Sequence, residues 1–158
     1  MLKIDVPTRR GVLALLAAGL IFPSRSLRAE TPAMHVHKDP DCGCCGGWVD
    51  HLRSAGFAVT VDETSELTAI RTRLRVPPAL SSCHTAEVAG YAIEGHVPAE
   101  AIRRLLETRP TAFGLAVPGM PTGSPGMEGG TPVAYDVILF AAGGQRPFMR
   151  FIGTKSIG

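Results

Sequence analysis

Met34-His35-Val36-His37-Lys38-Asp39-Pro40-Asp41-Cys42-Gly43-Cys44-Cys45-Gly46-Gly47-Trp48-Val49-Asp50-His51-Leu52 is the stretch from which the rest of the chain can be read. Met34 to Lys38 follows Pro32 and alternates, which predicts a short first strand. Asp39 to Gly47 predicts a turn, with Asp and Gly supplying unusual backbone angles and Asp41 as a candidate helix cap. Trp48 to Ala55 predicts a helix, because Trp48, Val49 and Leu52 fall on one apolar face and Gly56 is placed to end it. A cysteine-rich turn thus stands between a strand and a helix.

Downstream, Phe57 to Val61 predicts a second strand. Ser65 to Leu74 opens with a capping residue type and spaces Leu67, Ile70 and Leu74 for a second helix that runs to the Val76-Pro77-Pro78 break. Ser82 to Val88 and Tyr91 to Val97 flank Ala89-Gly90 and predict a hairpin. Pro98 suits the first turn of a third helix over Ala99 to Glu107, with Ile102, Leu105 and Leu106 facing inward. The order β-α-β-α-β-β-α is that of a thioredoxin-like α/β domain with the cysteine turn at the start of its first helix. Gly114 to Pro132 is dominated by Gly and Pro and predicts a loop without regular structure. Pro132 to Phe140, a Gly143-Gly144 turn and Arg146 to Ile152 predict a terminal hairpin.

Upstream, Met1 to Arg10 is polar and carries Lys3, Arg9 and Arg10; Gly11 to Phe22 is apolar and uncharged; Ser24 to Ala29 is small or basic. This is the three-part layout of an export signal over residues 1–29, with a twin-arginine look at Thr8 to Leu13 that an ordinary secretory signal could also show. The apolar stretch is too short for a bilayer core, which needs ~20 residues. Residues 30–158 then form a single domain of the mature protein.

The whole chain has 158 residues, a formal charge of +2, 19% charged residues, 18 Gly and 13 Pro. So few charges and so much Gly and Pro argue against long charged helices, a coiled coil or a basic nucleic-acid face. Removal of the signal leaves 11 basic against 13 acidic residues, a net charge of −2. The basicity belongs to the signal, so neither nucleic acid nor an anionic membrane is an expected partner of the mature protein.

All four cysteines, Cys42, Cys44, Cys45 and Cys83, lie in the mature part, where an oxidising compartment demands that they be paired, metal-bound or catalytic. Cys42 and Cys45 form a C-x-x-C at a helix start, where free N–H groups favour thiolates, the nucleophiles of disulfide exchange and the soft ligands of copper and zinc. A structural disulfide also fits the spacing but leaves Cys44 without a purpose. Cys83 opens the third predicted strand; in this topology it and His84 face the first three cysteines, whereas elsewhere it would be a small buried hydrophobe. Met120 and Met127 sit in repeated Pro-Gly-Met settings of the loop, either exposed by accident or as thioether ligands selecting Cu(I). His96 ends a strand beside the third helix and is a candidate ligand. His35 and His37 share a strand face upstream and read as solvated. His51 is seven residues after Cys44, ~10 Å along the helix axis, and is a poor co-ligand.

Asp41 to Trp48, Ser82-Cys83-His84-Thr85, Glu94 to Pro98 and Pro118 to Glu128 together resemble the successive signatures of the CopG-type family of exported bacterial copper proteins, much of it labelled a domain of unknown function. The resemblance spans about Met34 to Phe151. It implies a thioredoxin-like fold, a periplasmic location and a role in copper resistance with redox chemistry on the metal. By motif, Cys42, Cys44, Cys45 and Cys83 are the implied copper thiolates, with His96, Met120 and Met127 as neighbours. Copper ions and other periplasmic copper proteins are the partners expected.

The leading reading is therefore a periplasmic protein that binds Cu(I) through a cysteine cluster, with metal binding ahead of catalytic turnover. The alternative is a thiol-disulfide oxidoreductase using Cys42 and Cys45, for which the extra cysteines would crowd the exchange site. A structural zinc module lacks a second C-x-x-C or a paired-His motif.

Overall fold

The computed structural model describes residues 32–158, so the export signal read over residues 1–29 lies outside the described residues. Strand β1 (Met34–Lys38) passes through α1 (Cys45–Ser54) to β2 (Val59–Glu63), which pairs with it in parallel. After α2 (Leu67–Arg73) and one 3-10 turn at Pro78–Leu80, β3 (His84–Val88) lies antiparallel on the other side of β1 and pairs with β4 (Tyr91–Gly95). Helix α3 (Ala99–Thr108) returns the chain to β5 (Gly114–Val117), parallel to β4. Strands β6 (Ala134–Ala141), β7 (Gly144–Ile152) and β8 (Lys155–Ser156) continue antiparallel, so one mixed sheet runs β2-β1-β3-β4-β5-β6-β7-β8.

Each face of the sheet has its own apolar cluster. Met34, Val36, Ala86, Ile93, Leu115, Val137 and Phe151 from the strands meet Trp48, Val49 and Leu52 of α1 and Ala101, Ile102 and Leu105 of α3. Val76, Leu80, Ala92, Ala116 and Phe140 form a smaller cluster beyond the end of α2. Both α1 and α3 therefore follow the apolar stripe read from the sequence. Ala89 and Gly90 take φ of +47° and +85°, the double left-handed turn that closes a two-residue hairpin. Among the described residues no helix is long and apolar enough to cross a membrane.

Several sequence expectations are corrected. Helix α1 begins at Cys45, three residues before Trp48, and its cap is Cys44; Asp41 does not cap it. The turn is held by Asp39, which accepts the Asp41 N–H on its side chain (2.9 Å) and the Cys42 N–H on its carbonyl (3.0 Å). Ser65 does not cap α2, where Thr64 Oγ1 accepts the Glu66 N–H instead. The second strand is Val59–Glu63 rather than Phe57 to Val61, because Phe57 is drawn into the core with α1.

The largest miss is β5, inside the segment read as irregular. All four of its residues are buried, so it shows no alternation, and Gly and Pro on either side mask it. A Cβ at Gly114 would lie 1.9 Å from the Ala92 carbonyl oxygen, so only glycine lets β5 approach β4. The rest of the loop is a set of tight turns, with Ser124 fully buried and bonds from Ser124 N to Pro121 O, Gly123 N to Met127 O and Met127 N to Ser124 O. β8 was not legible at two residues' length.

Arg73 on α2 donates to both carboxylate oxygens of Glu87 on β3, at 2.9 and 2.7 Å, and draws its pKa from an ordinary 4.5 down to about 2. Because the folded protein holds this proton less readily than the unfolded chain, the pair contributes stability that is present above about pH 5 and is lost as pH falls toward 2. Urea denaturation from pH 7 to pH 2.5 should show Glu87→Gln with a flatter acid limb than the parent. Superimposable acid limbs would show that the pair adds nothing.

Candidate metal centre

The cysteine turn joins β1 to α1 and is drawn against the residue preceding β3, since the Asp39 N–H donates to the Cys83 carbonyl at 3.1 Å. All four sulfurs meet there. Cys42 and Cys45 are joined in a disulfide, with Cα atoms 5.7 Å apart. The Cys83 sulfur lies 2.8 Å from that of Cys42, 3.4 Å from that of Cys45 and 4.0 Å from that of Cys44. Cys44 and Cys42 sulfurs are 3.6 Å apart. Cys45, the first residue of α1, is fully buried, whereas Cys42, Cys44 and Cys83 are half-buried. Burial first, then the neighbouring Cys44 sulfur, pushes the Cys83 thiol up.

Two fully buried imidazoles complete the cluster. His84 Nδ1 is 3.2 Å from Cys45 Sγ, and its Nε2–H donates to the Gly95 carbonyl at 3.0 Å. His96 Nε2 is 3.7 Å from Cys44 Sγ, and its Nδ1–H donates to the Pro125 carbonyl at 2.7 Å. A carbonyl only accepts, so each ring must carry its proton on the far nitrogen and turn a bare lone pair toward the sulfurs. Burial, and then the adjacent His96, lowers the His84 pKa to about 3, and burial also lowers that of His96. Both are neutral donors near pH 7.

The ligand atoms of Cys42, Cys45, Cys83 and His84 all lie within 4.8 Å of one another, as do those of Cys44, Cys83 and His96. Cys83 is common to both sets. Thiolates and neutral imidazoles, each imidazole oriented by an outer carbonyl, are the donor chemistry of a soft or borderline metal. Trp48 forms the floor, its indole N–H donating to the Val97 carbonyl (2.9 Å) and its ring 4.4 Å from that of His84.

Behind Cys83 stands a fully buried carboxylate, Glu94 on β4. It accepts the Ser82 N–H (2.6 Å), Arg71 Nε–H (2.9 Å) and the Thr85 hydroxyl, while Arg71 also donates to the Ser82 carbonyl. Burial pushes the Glu94 carboxyl up, and Thr85 and Arg71 oppose that. The peptide that leads into Cys83 is thereby held from both sides. Ser82 Oγ is buried without a hydrogen-bond partner among the described residues.

The Gly/Pro loop reaches the centre through its backbone. Besides the Pro125 carbonyl, Gly126 packs so tightly on α1 that a Cβ there would lie 2.7 Å from Trp48 N and 2.9 Å from Cys44 O. Met127 is half-buried, whereas Met120 is 46% exposed. His51 accepts the Ala99 N–H at 3.0 Å and so caps α3. His35 and His37 are not freely solvated: they lie on β1 paired with Asp62 (2.8 Å) and Glu87 (3.2 Å). Sequence reasoning had no assignment for Glu94 and Arg71, and named His84 only beside Cys83. Alternation along a strand would put neighbours 83 and 84 on opposite faces, but β3 begins at His84, so Cys83 is exempt.

One mixed sheet carrying a cysteine–histidine cluster at the start of its first helix defines the class: a small α/β protein whose clustered side chains are of metal-ligating types. A family model described as "Protein of unknown function, DUF411" matches residues 80–127. The solved structure "Copper resistance protein copG- Form 1" is 44% identical, with a TM-score of 0.73, and the match covers 78% of this chain and all of that one. "Copper resistance protein copG- Form 2" is 42% identical, with a TM-score of 0.70, over 82% of this chain and all of that one. No curated protein sequence matches. The chain belongs to the CopG family of copper resistance proteins.

At Gly126 φ is +84°, so a side chain there is opposed by both backbone strain and the collision with Cys44 and Trp48. Gly126→Ala should lower stability by about 2 kcal/mol in urea denaturation. It should also shift the His96 ring resonances in NMR spectra, because Pro125 is displaced with it. Unchanged stability and unchanged His96 resonances would show that the loop is not seated on the centre.

Proposed function

We propose that this is an exported copper-binding protein of copper resistance, which holds Cu(I) as cargo through Cys42, Cys44, Cys45 and Cys83 with His84 and His96. The observation that carries the reading is the meeting of four sulfurs and two bare imidazole nitrogens at one point. The shared position of Cys83 suits a thiolate bridging more than one ion. The charge pattern of residues 1–29 supports export to the periplasm, with residues 30–158 as one mature domain. The β-α-β-α-β-β-α order and the β2-β1-β3-β4 arrangement support a thioredoxin-like ancestry for its first part.

Cys42 and Cys45 bind metal as thiolates only after their disulfide gains two electrons, so loading is tied to the redox state of that bond. Oxidation of two Cu(I) to Cu(II) releases the same number, which supports a role in which copper and disulfide exchange electrons. The reading gives Met120 and Met127, on the loop whose backbone meets the centre, the part of thioethers that favour Cu(I) over harder ions.

The oxidoreductase reading draws on one observation: Cys42 is half-exposed and Cys45 buried, the asymmetry of an attacking and a resolving thiol. Cys83 and Cys44 pressed against the pair favour metal binding over docking of a substrate disulfide.

Anaerobic titration of the reduced mature protein against a Cu(I) chelator should show more than one equivalent bound and no displacement by Zn(II). Cys83→Ser and Cys45→Ser should each weaken binding on the order of tenfold or more. Displacement of Cu(I) by Zn(II), or binding unaffected by both variants alongside reduction of a peptide disulfide, would favour the other readings.

Replacing Met120 and Met127 together by Ala should leave the metal-free melting temperature within about 2 °C of the parent, as the exposed Met120 contributes little packing. Cu(I) retention should fall. Unaltered retention would make the methionines bystanders, and a large loss of metal-free stability would make them core.

A further inference from the structure

The sheet face opposite α1 and α3 carries a second cluster of metal-binding side chains that the cysteine centre does not use. His35 and His37 are two residues apart on β1 and so project from the same face, with ring centroids 4.4 Å apart. Asp62 lies on β2 directly across from His37. One ligand atom from each of the three lies within 4.8 Å of the others.

His35 Nε2 lies 2.8 Å from the Asp62 carboxylate, and Nδ1 lies 3.1 Å from Thr60 Oγ1. In the neutral ring Nε2–H donates to Asp62 and the Thr60 hydroxyl donates to Nδ1, so a cation bound at Nε2 takes the place of one proton beside a carboxylate.

The surrounding charges leave room for the ion. Glu87 is held by Arg73 and also bonds His37 Nε2 at 3.2 Å, while Lys38 is held by Glu63. Among the described residues Asp62 has no ionic partner except His35. The side chains of His35 and Asp62 are 42% and 63% exposed, so an ion reaches them without burial and water can complete its coordination, while His37 at 14% anchors the inner side. Metal–imidazole bonds of ~2.0 Å are reached by small rotations of these side chains.

We propose that His35, His37 and Asp62 form a second metal site, which takes a borderline divalent cation, Cu(II) in preference to Zn(II). Two imidazoles with a carboxylate suit that class, and copper(II) heads the affinity order for nitrogen and oxygen donors. The site is chemically the opposite of the sulfur cluster, and it does not depend on the Cu(I) reading of that cluster.

The test uses untagged mature protein with Cys44→Ser and Cys83→Ser, so that only the Cys42–Cys45 disulfide remains and no thiol reduces the probe. Titration with Cu(II) should fill one site whose electron paramagnetic resonance spectrum carries coupling from two imidazole nitrogens. Asp62→Asn should weaken it on the order of tenfold, and His35→Gln with His37→Gln should abolish it. All three positions lie on the sheet face turned away from the main core, and circular dichroism reports whether the sheet is retained. Cu(II) bound equally tightly with the same nitrogen coupling after His35→Gln and His37→Gln would overturn the site, as would absence of Cu(II) binding in the parent. Loss of Cu(I) binding in the cysteine variants leaves this result untouched, so the two readings fail separately.

Discussion

A carboxylate with no exposed surface must find every partner inside the protein, and Glu94 finds them on three elements. The Arg71 side chain comes from α2, the Thr85 hydroxyl from β3 and the Ser82 N–H from the segment just before Cys83. Such a pair costs desolvation and is a weak source of net stability, but removing one partner leaves an uncompensated buried charge. Its structural consequence is position. The Ser82 peptide is bonded at its N–H by Glu94 and at its carbonyl by Arg71, and the next residue is the cysteine common to both donor sets.

The front of the centre follows the same logic with backbone in place of charge. Gly95 and Pro125 each offer a carbonyl to the outer nitrogen of an imidazole, and that decides which nitrogen faces the sulfurs. Gly95 ends β4 and Pro125 belongs to the loop after β5, so a strand end and a distant turn together set the protonation of two rings. The loop is therefore part of the centre through its main chain, whatever its thioethers do. Tight contact of Gly126 with Cys44 and Trp48 ties that main chain to the start of α1.

The two donor clusters also divide the molecule by chemistry. Sulfur and neutral imidazole are gathered where the β1–α1 turn meets the start of β3, with Cys45, His84 and His96 fully buried and the other three cysteines half-buried. Imidazole and carboxylate lie on the open side of β1 and β2. Strand alternation separates them: Met34 and Val36 point into the core while His35 and His37 point away from it.

Local chemistry made much of this readable from residues alone. Apolar spacing marked α1 and α3, Ala89-Gly90 marked the hairpin, and the C-x-x-C next to a helix marked the site, because each depends on neighbours a few positions away. Four-residue β5 escaped because a strand buried on both faces has no alternation, and its identity as a strand depends on Ala92 across the sheet. Glu94 escaped for a related reason, as did the role of His84, which the topology had already turned toward the cysteines. A histidine or a glutamate looks the same in a sequence whether it is solvated or sealed, and only the packing of α2, β3 and β4 decides which. Thus the residue types and the local elements belong to the sequence by itself, whereas the meeting of Cys83 with Cys42, the tautomers of His84 and His96 and the charge of Glu94 belong to the tertiary structure, because each rests on a contact between segments far apart in the chain.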